Sequence, residues 1–146
     1  MAGKPFNKKE TFAATMKEVN TVKREIAKKV IAVVVLSTPV GMPGTWQSPP
    51  PKGYTPGHAR FSWQTSLDRP ITFEAPGVDP GGTRTIAAGF LKIKTSRLFQ
   101  NIWFSNNAPY IGRLDQGWSR QAPANFVEKA ILTGVRSLAD TTIEVP

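Results

Sequence analysis

The sequence predicts an α+β domain in which a long N-terminal helix and further helices pack on a small mixed or antiparallel β-sheet, with a long proline-rich arm between them. Three observations predict it. Apolar residues recur at helical spacing over Thr11 to Leu36 and again after Asn125, and strand-like alternation and aromatic runs lie between. Ten prolines and glycines crowd residues 39–57, a density that forbids a regular helix or a central strand. Helices and strands in this order, without repeats, suit helices packed on one sheet.

Phe12, Met16, Val19, Val22, Ile26, Val30 and Val33 follow one another at steps of three or four, the repeat of one helical face. Lys17, Lys23, Arg24, Lys28 and Lys29 lie between them with Glu18 and Glu25, so the opposite face is polar and mostly positive. Pro39 disfavours helix at Thr38, which sets the expected end. The arm follows, carrying Trp46 and Tyr54, and a protruding loop is expected at about 39–57. Exposed loop aromatics anchor protein contacts, and the alternative is that both rings fold back onto the domain.

Ala59 to Leu67 alternates in the period of a half-buried strand, and Ile71 to Glu74 is a candidate partner strand after the Asp68-Arg69-Pro70 turn. Thr83 to Ile93 suits a second helix, and Leu98 to Phe104 a strand. Tyr110 to Leu114 is a candidate edge strand. Phe126, Ala130, Ile131 and Val135 mark a final helix reaching about Leu138. Trp63 and Trp103, on different strands, are expected beneath the long helix as the centre of the core. Asn107 and Gly117 suit unusual backbone angles.

The 146 residues fit one domain, 1–146, and carry a net charge of +9. Residues 1–60 hold ten Lys or Arg against three Glu, and the remainder nine against seven acidic residues, so the basic character is N-terminal. Such a bias favours nucleic acid or an acidic protein, and Lys23, Arg24, Lys28 and Lys29 are the candidate contacts. The absence of cysteine excludes disulfides and thiolate chemistry. The longest apolar run, Val30 to Leu36, is far below the roughly 20 residues of a membrane span. No apolar run follows Lys4, Lys8 and Lys9, so a secretory signal is not expected.

Catalytic sets are sparse. His58 is the single histidine, the carboxylates are scattered, and Gly81-Gly82 lacks the lysine of a phosphate loop. Arg97, Phe99, Trp103 and Arg113 interleave charge with aromatic rings as a single-strand groove would, although the same rings suit a sheet core. No enzyme activity, metal or cofactor is expected.

Four segments in order resemble the tail-completion or neck proteins of tailed bacteriophages. They are Ser37-Thr38-Pro39-Val40-Gly41 with the arm Trp46 to Tyr54; Gly57-His58-Ala59-Arg60-Phe61-Ser62-Trp63-Gln64; Ile102 to Tyr110, ending in Asn-Asn-Ala-Pro-Tyr; and Leu114 to Pro123, an acidic-Gln-Gly-Trp-Ser-Arg-Gln-Ala-Pro stretch. Asp115 stands where the family usually has Glu, and Asn125 where Gly is common.

The resemblance implies a virion protein, assembled in the host cytoplasm, that forms a homo-oligomeric ring, hexamer or dodecamer. The ring would join the head connector or head-closure protein to the tail terminator or tail tube, around genome DNA that it does not read. Trp46, Tyr54, Tyr110, Trp118, Arg120 and Gln121 are the expected subunit or partner contacts. A tail terminator and a basic nucleic-acid-binding module are the alternative readings.

Overall fold

A computed structural model of the chain describes residue 3 and residues 5–137. It is mixed α and β, with one long helix, α1 (Lys8–Ser37), crossing a small body made by α2 (His58–Phe61), β1 (Trp63–Leu67), α3 (Thr83–Lys94), β2 (Ile102–Asn106), α4 (Ile111–Asp115) and α5 (Phe126–Arg136).

The first helix starts earlier than its apolar pattern because Asn7 caps it, the side-chain oxygen accepting from the Lys9 N–H at 3.1 Å. It ends where Pro39 requires, with Thr38 in an extended conformation. Ala27, Ile31, Val34 and Val35 of α1 pack with Trp63, Ile93 and Ala130 to form one core. Two close approaches depend on glycine. A Cβ on Gly134 would stand 2.9 Å from the Val30 Cα, and one on Gly89 would stand 2.9 Å from the Thr65 Oγ1. Helices α5 and α3 therefore seat directly on α1 and β1.

The sheet has two antiparallel strands, with Trp63 opposite Asn106 and Leu67 opposite Ile102. Alternation puts Trp63, Phe104 and Ile102 on the helix side and Trp103 on the other. Trp63 takes its expected place, its indole N–H donating to the Thr38 Oγ1 at 2.8 Å. Trp103 does not. It is 40% exposed and donates to the Asp68 carbonyl at 3.1 Å.

Four expected strand segments differ, and in Leu98 to Phe104 the strand begins only at Ile102. Ala59 to Phe61 belongs to α2, because Gly57 adopts φ 83° and starts a helical turn that the Asn106 amide holds at the Ala59 carbonyl, 2.9 Å away. Ile71 to Glu74 is irregular. Pro70 cannot donate to a ladder, and side chains do the fastening: Asn107 Nδ2 donates to the Ile71 carbonyl at 2.8 Å, and Gln64 Nε2 to the Phe73 carbonyl at 2.9 Å. Tyr110 to Leu114 ends in α4, where Leu114 is fully buried against the second core. Asn107 has an ordinary backbone, since the non-glycine residues at positive φ among the described residues are Asp68 and Asn125. Gly117 is left-handed as expected, at φ 87°. The final helix holds to Arg136, and Leu138 lies outside the described residues.

Candidate assembly surface and the His58 cleft

A second core contains Trp46, Ala59, Ala108, Tyr110, Leu114, Ala122 and Phe126. It is where the sequence segments quoted above converge. Trp46 forms a bridge with Ser119, the Arg120 N–H donates to the Thr45 carbonyl at 2.7 Å, and the Gly41 N–H donates to the Gln121 Oε1 at 2.9 Å. Tyr54 donates to the Val40 carbonyl at 2.7 Å, and it lies so close over Gly41 that any Cβ there would collide with its hydroxyl. The rings of Trp46, Tyr54 and Tyr110 meet edge to face, with centroids 4.8–6.4 Å apart. Burial pushes the Tyr54 hydroxyl up to about 12 and raises that of Tyr110 further.

This corrects the expected contact set. Trp46 and Tyr110 are buried and Tyr54 half-buried, so these three hold the domain together instead of facing a partner. The proline-rich segment is tied down at Gly41, Thr45, Gln47 and Tyr54, and its solvent-facing side chains include Gln47 to Pro49 and Lys52. Trp118, Arg120 and Gln121 keep exposed surface, with the Arg113 guanidinium 5.1 Å over the Trp118 ring. Asp115 closes the segment: its Oδ1 accepts from the Val127 N–H at 3.0 Å and caps α5, while Asn125 takes φ 60°, a conformation that asparagine and glycine tolerate.

The expected basic contact face is also partly spent inside the molecule. Lys23 donates to the carbonyls of Leu98 and Gln100, each at 3.1 Å, and to that of Arg97. Burial, helped by the charge of Arg24, pulls its pKa down. Arg24 donates to the Ser96 carbonyl at 3.1 Å. Lys28 pairs with Glu25 at 3.1 Å and lies 6.0 Å over the Phe90 ring, leaving Lys29 exposed. Lys23 and Arg24 thus fasten the loop after α3 to α1. Of the expected single-strand groove, Phe99 is 89% exposed, so neither it nor Trp103 is core.

The signal that periodicity alone could not place is the length of bare helix. Every side chain from Lys8 to Thr15 is exposed, and the first buried residue of α1 is Ala27. Phe12 is 65% exposed and Val19 48%. The stripe that enters the core at Val30 is half-buried at Ile26, Val22 and Met16 and exposed at Val19 and Phe12, and the helix before Val22 runs on for roughly 20 Å at 1.5 Å per residue.

A polar constellation lies at His58. Its Nδ1 is 2.6 Å from the Gly77 carbonyl oxygen and its Nε2 2.6 Å from the Glu74 Oε1. Ser62 Oγ is 3.3 Å from the same Nε2, but it is fully buried and donates to the His58 carbonyl at 2.7 Å. A nucleophilic triad needs the acid on one ring nitrogen and the hydroxyl on the other. Here both lie at Nε2, so the ring cannot relay a proton from Ser62 toward Glu74. Among the described residues no group of three or more His, Asp or Glu could hold a metal, and no helix is long and apolar enough to cross a membrane. No family model, no curated protein and no solved structure matches the chain.

Proposed function

We propose that this chain is a structural virion protein that forms a ring in the neck of a tailed phage, joining the head connector to the tail around the DNA channel. The observation that carries the reading is the partly uncovered apolar stripe of α1. A helix that exposes Phe12 and Val19 along its free half leaves a cost in water that a neighbouring protein removes by covering it. Closed rings need two different faces per subunit, and a projecting helix supplies one of them. The resemblance of the four segments to neck proteins supplies the place. Those segments form one packed unit in this fold, which accounts for their occurring together in the sequence.

Internal use of Lys23 and Arg24 weighs against the basic nucleic-acid-binding module, because two of its four cations are already satisfied by carbonyls. The test is genetic and structural. Removing the chain from a phage that encodes it should leave filled heads and separate tails, and restoring it should rejoin them. Complete infectious particles formed in its absence would refute the proposal.

A further inference from the structure

We infer that the cleft between the Pro51–Thr55 segment and α4 is a binding site for a carboxylate-bearing segment of another protein. The cleft has a volume of about 450 Å³, and Pro51, Pro109 and Tyr110 form its apolar walls. Lys52 and Arg113 line it, and neither side chain has a hydrogen bond or ion pair to another described residue. Arg113 is positioned by stacking on Trp118, which leaves its planar fork of N–H donors unspent. His58 on the same wall is already held by Gly77 and Glu74, so Lys52 and Arg113 are the groups available to an incoming anion.

The lining favours a protein carboxylate over a nucleic-acid backbone. Glu74, its side chain nearly half exposed, stands at the same cleft and repels a run of phosphates more than it repels a single carboxylate. Proline and tyrosine walls suit an extended peptide. The site does not depend on the neck reading, since it concerns what the cleft recognises and not where the chain is assembled.

Calorimetric titration of the purified chain tests it, with the blocked peptide Pro-Glu-Ala-Pro, its Pro-Gln-Ala-Pro counterpart and a single-stranded oligothymidylate as probes. The acidic peptide should bind and the amide peptide should not. Arg113→Ala and Lys52→Ala should each weaken binding by about fivefold, the scale of a partly exposed charged contact, while Lys17→Ala leaves it unchanged. Circular dichroism of each variant checks that the fold is kept. Equal binding of the two peptides, no measurable binding of either, or tighter binding of the oligothymidylate would overturn the inference. Particle assembly is not measured, so failure here leaves the neck reading to its own test.

Discussion

At the scale of single residues, two buried polar groups hold the fold at points where the chain changes direction. Thr38 accepts from the Trp63 indole at 2.8 Å and donates to the Val34 carbonyl at 2.7 Å, joining the end of α1 to the start of β1. Thr38→Val keeps the shape but leaves the indole N–H buried without an acceptor. Urea unfolding should show a loss of about 1–3 kcal/mol. Asp79 does the same for α3, its carboxylate accepting from the Thr85 N–H and Oγ1, both at 2.9 Å. Burial alone would raise its pKa, but the two bonds from Thr85, the charge of Arg84 and the Gly82 N–H outweigh it and hold the carboxyl below its usual range. A lowered folded pKa stabilises above the unfolded value of about 3.9 and ceases to do so as pH falls through the folded value. Asp79→Ala should cost about 1–2 kcal/mol at pH 7, in line with losing a helix cap. The gap between variant and wild type should narrow as unfolding is measured below pH 4.

Among the elements, the sequence disclosed those with a long period and misread those that side chains hold from a distance. α1, α3 and α5 were legible because their apolar residues repeat every three or four positions over several turns. His58–Phe61 and Ile111–Asp115 are single helical turns, too short to show a period, and both are fixed by packing: Ala59 and Leu114 are buried in the second core. The inward turn of Trp46 and Tyr54 was likewise hidden, because Ser119, which bridges to Trp46, and Tyr110, whose ring meets both, lie more than 50 residues along the chain. The glycine contacts give a paired prediction. Gly134→Ala drives a methyl group against the α1 backbone at Val30 and should destabilise by about 1–3 kcal/mol in thermal unfolding. Gly112→Ala, in an exposed helical position with open space around it, should stabilise by up to about 1 kcal/mol.

For the whole molecule, the division of α1 is the feature that connects the fold to the proposed assembly. Its second half is the spine on which α3, α5 and the sheet pack, and its first half carries the same apolar stripe into solvent. Charge placed on the free half should therefore separate assembly from folding. Phe12→Lys with Val19→Lys should leave thermal stability within about 0.5 kcal/mol of wild type, as expected for exposed positions, and abolish oligomers in sedimentation. The most direct measurement is a density map of the head-to-tail junction in particles that contain this chain. A closed ring of the chain around the DNA channel, with Phe12 and Val19 covered by a neighbouring protein, is the predicted result. A junction without the chain, or a ring in which both side chains remain in solvent, would contradict the account.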